Sequence, residues 1–199
     1  MTISSDDVKR LRDQTGAGVL ACRAALQETK GDFDEAVKEL RKKGAALAAK
    51  RADREAGEGI IGIYLHHNKK VASMVEVNCE TDFAGRSEKL VEFARELAMH
   101  VTAYNPRWIT PEEVPAKVIE DEKEVYRAQL AQENKPANIV EKILEGKLKK
   151  FYEQTCLLKQ AYSGNEQITV EQAVQELTGT IGEKIKISRF TRYAIGAQG

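Results

Sequence analysis

The spacing of apolar residues first changes from helical to alternating at Gly57-Glu58-Gly59, and that change sets the fold class. Before Gly57-Glu58-Gly59 the apolar residues recur at helical spacing in three short runs. After it, Val71, Ser73, Val75 and Val77 alternate with Ala72, Met74 and Glu76, which places the two sets on opposite faces of a strand. A chain that does both in sequence is α+β.

The first part, residues 1–45, reads as a three-helix bundle. Ser4 or Ser5 caps a first helix, with Asp6 and Asp7 at its positive end and Val8 and Leu11 on its apolar side. Thr15-Gly16-Ala17-Gly18 is a tight turn. A second helix, from about Val19 to Thr29, buries Val19 or Leu20 together with Cys22, Ala25 and Leu26. Asp32 and Glu35 open a third helix with a Phe33, Ala36, Val37 and Leu40 stripe, and Gly44 is its expected stop. Residues 46–58, rich in Ala, Lys, Arg and Glu, read as a linker, with Lys50, Arg51 and Arg54 on a solvated face. The Ala25-Leu26, Gly31-Asp32, Ala36 and Leu40 pattern resembles the back half of ubiquitin-associated domains. That likeness concerns fold and says little of function.

Residues 59–199 read as the core. Ile60–His66 and Val71–Asn78 form a hairpin across the polar turn His67–Lys70. A helix from Thr81 or Ser87 to Ala103 carries Leu90, Phe93 or Ala94, Leu97, Ala98 and Val101 on one side. Thr110-Pro111-x-Glu113 opens a charged helix running to about Glu133; Asn134-Lys135-Pro136 turns it into a second, giving a helical hairpin over about 111–152. After an extended stretch and the turn at Ser163-Gly164-Asn165, Thr169-x-x-Gln172 caps a last helix, with Ala173, Val174, Leu177 and Ile181 inward. The final strand, Lys184–Ile195, has Ile185 and Ile187 on one parity and Phe190 and Ala194 on the other, so a bulge is expected. The core is thus a small antiparallel sheet of about three strands with helices on one face.

Composition removes several function classes. Lys plus Arg and Asp plus Glu both number 31, so no cationic surplus is available to neutralise phosphates, and direct nucleic-acid binding is not expected. No run of about 18 apolar residues spans a membrane, and Met1–Asp7 lacks the cationic and apolar regions of a leader, so a cytoplasmic chain is expected. Three separated cysteines (Cys22, Cys79, Cys156) form no CxxC pair and fit a reducing compartment. No phosphate loop, GxGxxG, HExxH or GxSxG is present. His66 and His67, as strand neighbours, would point to opposite sides and not share a metal. Cys79 has no base beside it and reads as a core residue. No enzyme, cofactor or metal is expected.

Two segments carry a family resemblance. One is Leu11-Arg12-x-x-Thr15-Gly16-Ala17-Gly18-Val19-Leu20-x-Cys22-Arg23-x-Ala25-Leu26; the other is Glu76-Val77-Asn78-Cys79-Glu80-Thr81-Asp82-Phe83. In order and separation they resemble hallmarks of the elongation factor Ts family. Leu97–Val101, Glu145–Phe151 and Arg189-Phe190 extend the likeness over essentially the whole chain. The family usually has Met-Met-Asp where Val19-Leu20-Ala21 stands here, Lys at Arg23, and a different run after Asp82-Phe83 than Ala84-Gly85-Arg86.

The resemblance implies a guanine-nucleotide exchange factor for elongation factor Tu. By that likeness Arg12, Val19 and Leu20 dock on the partner's nucleotide-binding domain. Thr81, Asp82 and Phe83 form the working tip, with Phe83 wedging near the partner's Mg²⁺ and phosphate site. His66 and His100 meet a second partner domain. Longer members carry two similar core subdomains and this chain has room for one, so a homodimer is implied, in complexes of two factor and two partner chains. A short member of the family carries an inter-subunit cysteine in the last strand; Arg189-Phe190-Thr191-Arg192 holds none, so the likeness implies a non-covalent dimer here. Two other readings compete. A ubiquitin-binding adaptor is weakened by the absence of an apolar loop at residues 15–18, and an enzyme using Cys79 lacks a general base.

Overall fold

The computed structural model describes residues 3–131 and 137–197. Three helices come first: α1 (Ser5–Thr15), α2 (Val19–Glu28) and α3 (Phe33–Lys50). Ser4 caps α1 in a reciprocal box with Asp7, Gly16 ends it in the left-handed region, and Asp32 caps α3 through the Glu35 N–H. Val8, Leu11, Cys22, Ala25, Leu26 and Ala36 form the bundle's core.

Gly44 does not stop α3, which continues to Lys50. The glycine instead lies against α8 (Val170–Ile181): a Cβ on Gly179 would sit 2.9 Å from the Gly44 Cα, and one on Gly44 would sit 3.0 Å from the Gln175 carbonyl oxygen. The absent side chains let two helix backbones touch. The stretch read as a linker therefore begins as the last turn of a packed helix.

β1 (Glu58–Leu65), β2 (Val71–Cys79) and β5 (Lys186–Ala194) make an antiparallel sheet in the order β1-β2-β5. Val75 pairs with Phe190 and Val77 with Ile187, so Ser188 is the extra residue of the expected bulge. The bulge returns Ile187 and Phe190 to the same face, against the main core. α4 (Asp82–Gly85) and α5 (Glu88–Tyr104) follow β2, capped by Thr81 and Ser87, so both candidate starts are used. Leu90, Ala94, Leu97, Ala98 and Val101 of α5 are fully buried against the sheet.

Pro115 breaks the helix expected from Thr110. The residue before a proline avoids helical backbone, so Pro111–Glu113 closes only one 3-10 turn and Val114 is extended at φ −69° and ψ 122°. α6 (Ala116–Ala131) and α7 (Ala137–Thr155) then pair through Gln129 and Lys147, 2.7 Å apart. The turn read at Asn134-Lys135-Pro136 lies outside the described residues. A second small hairpin, β3 (Ala161–Tyr162) with β4 (Asn165–Thr169), was not expected as a sheet of its own.

Among the described residues, helices cover one face of the sheet. Ile61, Ile63 and Leu65 of β1, Met74 of β2 and Tyr193 of β5 are exposed on the other, and neighbouring Ile195 is exposed as well. Register lines them up as Ile63–Met74–Thr191 and Leu65–Ala72–Tyr193.

Candidate partner-binding site

The tip begins where β2 leaves the core. Cys79 is fully buried and its thiol donates to the Thr81 carbonyl at 3.0 Å. Burial pushes that thiol up from its ordinary range, as expected of a core cysteine and not of a nucleophile. Glu80 turns inward. Its carboxylate accepts the Lys184 N–H at 2.7 Å, Arg51 at 2.6 Å and Arg54 at 2.9 Å. The Lys184 amide, with the two guanidiniums, holds its pKa at about 2. Arg51 is thus half-buried on the Glu80 carboxylate instead of lying on a solvated face, while Arg54 reaches the same carboxylate from an exposed position.

Thr81 caps α4 by accepting the Ala84 N–H at 3.2 Å, and its own hydroxyl donates to Glu183 at 2.8 Å. Asp82 points out and pairs with Arg86 at 3.0 Å. Phe83 is 84% exposed. An aromatic ring left this bare on a capped turn is an unpartnered contact surface.

The second apolar feature lies on the bundle. Leu20 is 83% exposed and Val19 49%, with Arg12 exposed nearby on α1. The expectation that one of Val19 and Leu20 is buried fails. The buried stripe of α2 starts at Cys22 and runs through Ala25 and Leu26, and residues 19 and 20 fall outside it. Lys89, at the start of α5, donates to the Gly16 carbonyl and so ties the turn before Val19 to the element after Phe83.

The two histidines do not join this surface. His100 is fully buried: Nε2 faces the Gln160 amide oxygen at 2.9 Å, Nδ1 accepts the Ser163 N–H at 3.3 Å, and the ring stacks on Tyr104. Burial lowers its pKa. It is a core histidine, and the contact expected of it with a partner is corrected here. His66 follows the far end of β1, roughly 23 Å along the strand from Gly59 at about 3.3 Å per residue. Its Nδ1 lies 3.3 Å from the Tyr64 hydroxyl. Because β1 ends at Leu65, His66 and His67 sit in the turn with ring centroids 4.2 Å apart, and not on opposite faces of a strand. Among the described residues no group of three His, Cys, Asp or Glu could hold a metal ion.

Glu183 and Lys89 had no signal in the sequence. Each reaches a segment more than 70 positions away, as the 102-residue separation of Thr81 and Glu183 and the 73-residue separation of Lys89 and Gly16 make plain.

A family model described as Elongation factor TS matches residues 8–197. The chain belongs to the elongation factor Ts family. It is 51% identical to the Elongation factor Ts of Thermosipho melanesiensis over 194 residues, covering 98% of this chain and 99% of the relative. Identity is 50% to that of Fervidobacterium nodosum over 196 residues, covering 98% and 100%. It is 52% to that of Thermotoga maritima over 196 residues, covering 98% of each. Family membership implies a translation factor that exchanges nucleotide on elongation factor Tu. No described helix is long and apolar enough to cross a membrane.

Proposed function

We propose that this chain, in the cytoplasm, binds elongation factor Tu carrying GDP and speeds GDP release by driving Phe83 toward the partner's Mg²⁺ and phosphate site, so that GTP can load. The observation that carries this reading is the bare Phe83 ring on a capped, clasped turn. Arg12, Val19 and Leu20 dock on the partner's nucleotide-binding domain: an exposed apolar pair beside a guanidinium suits an interface anchor. Asp82 shares the tip, Thr81 shapes it, and His66 is left to meet a second partner domain. The chain works as a binding protein, with no cofactor and no direct contact with nucleic acid.

The thermodynamics follow from linkage. A factor that weakens nucleotide binding must have its own binding weakened by nucleotide to the same degree. Exchange therefore needs tighter binding to the empty partner, and no catalytic group.

The open sheet face supports the homodimer. Ile61, Ile63, Leu65, Met74 and Tyr193 form an apolar surface of the kind that a second sheet covers. Two factor chains would then carry two partners. The adaptor reading gains nothing from the bundle, since one side of α3 already packs on α8.

Fluorescent GDP preloaded on elongation factor Tu gives the test. The chain should accelerate its release at micromolar concentration, and Phe83→Ala should slow that release. An unchanged release rate with the wild-type chain would sink the exchange reading.

A further inference from the structure

The turn that presents Phe83 is anchored on its inner side, where Ala84 joins the main core and Gly85 lies against Gly59 and Cys79. α4 is four residues long, well short of what an isolated helix needs. Phe83 makes no core contact worth the name at 84% exposure, and only Ala84 and Gly85 of α4 are buried. The root of the turn, at Glu80 and Thr81, is held in addition from the loop between α8 and β5. One oxygen of Glu183, Oε2, accepts the N–H of Glu80 at 3.1 Å and the N–H of Thr81 at 3.0 Å, while Oε1 accepts the Thr81 hydroxyl at 2.8 Å. That hydroxyl oxygen accepts the Ala84 N–H and caps α4. Hydrogen bonds thus run from Glu183 through Thr81 into the turn that carries Phe83.

The clasp is reciprocal. Glu80 accepts the N–H of Lys184, next to Glu183, and the Lys184 ammonium donates to the Ala52 and Arg54 carbonyls beyond α3. Three segments meet there: the end of the bundle, the root of the tip and the α8–β5 loop. Hydrogen bonds to an ionised carboxylate are the strong kind, and three on one side chain set orientation as well as energy.

We propose that Glu183 is a positioning residue for nucleotide exchange, holding the root of the tip so that Phe83 is presented in one orientation. The proposal rests on the reading of Phe83 as the wedge. A wedge transmits binding free energy to the nucleotide site only if it does not yield on contact. A tip ordered before binding also avoids the ordering cost on docking. The hydrogen bonds of the Glu183 carboxylate go to Glu80 and Thr81 and not to Arg12, Val19 or Leu20, so it acts on the step after docking.

GDP release from elongation factor Tu, measured against factor concentration with the full chain, separates the two. Glu183→Ala should lower the saturating release rate about tenfold, as for loss of a charged hydrogen-bond acceptor. The half-saturating concentration should stay within about twofold, because docking contacts away from the altered site contribute independently. In a Phe83→Ala background the same substitution should lower the rate no further, since groups acting through one another are not additive. A general structural defect would lower both rates equally. Full rate in Glu183→Ala, or an equal further loss in the Phe83→Ala background, overturns the positioning role. Should Glu183→Ala not fold, Thr81→Val and Thr81→Ser serve instead: Ser keeps the hydroxyl and should release GDP faster than Val, and equal rates overturn the proposal. If Phe83→Ala itself releases GDP at the wild-type rate, the wedge reading fails. If Phe83→Ala is slow and Glu183→Ala is not, only the positioning role falls.

Discussion

Glu80 shows how far a residue's role departs from its neighbours in sequence. It stands two positions before Asp82, yet one carboxylate is folded in on three donors and the other faces solvent beside Arg86. The inward carboxylate titrates at about 2 against an ordinary 4.5. A depressed acid pKa contributes stability above the unfolded value and loses it as pH falls through the folded one. The thermal stability of the wild-type chain should therefore fall as pH drops from 4.5 to about 2. The gap between wild type and Glu80→Gln should be full at pH 7 and close across that window. A gap that does not change with pH would show that the carboxylate is not held in this way. At this scale the sequence was readable where the signal is local. The Ser4, Asp32, Thr81, Ser87 and Thr169 caps follow from residue type and spacing. His100 was not readable: a histidine on an apolar stripe looks the same whether its partner is another protein or Gln160.

Among the elements, contacts between backbones decide more than side-chain volume. Gly62 of β1 faces α5, and a Cβ there would lie 2.0 Å from the Ala94 carbonyl oxygen. Gly62→Ala should lower stability by about 3 kcal/mol, the upper part of the range for overpacking, and be read as a lower urea midpoint at unchanged slope. Gly146, with open space around the same position, is the matched control: Gly146→Ala should cost nothing and gain up to about 1 kcal/mol as a helical alanine. Helix existence, strand alternation and the β5 bulge were legible because each is written in the period of its own residues. The end of α3 was not. Gly44 reads as a stop to any local rule, and only the facing Gly179, 135 positions on, makes it a packing residue. The Pro115 break was available in the sequence and outweighed the cap signal at Thr110.

For the whole molecule, the uncovered sheet face is the dominant fact. Ile63 sits at the middle of an exposed apolar row with Met74 opposite it. Ile63→Lys should leave the chain folded, since the site faces solvent, and shift sedimentation from twice the chain mass to one chain mass at micromolar concentration. A wild-type chain that sediments as a monomer at that concentration would argue against the dimer. Nothing in the alternation of β1 and β2 told which face would be bare, because both faces carry apolar residues and the choice depends on where α5 packs.

The clasp between Glu80 and Glu183 also imposes an order on the chain's own making. The bundle is complete once α3 ends at Lys50, and the tip residues Asp82 and Phe83 emerge soon after. The carboxylate that holds them is 103 positions beyond Glu80. Closing so long a loop is entropically unfavourable until β5 pairs with β2 and draws the ends together. On the proposed reading, a nascent or truncated chain thus owns a finished docking surface and a loose tip at the same time. It could occupy the partner without acting on it. The rigid tip belongs only to chains synthesised nearly to their end.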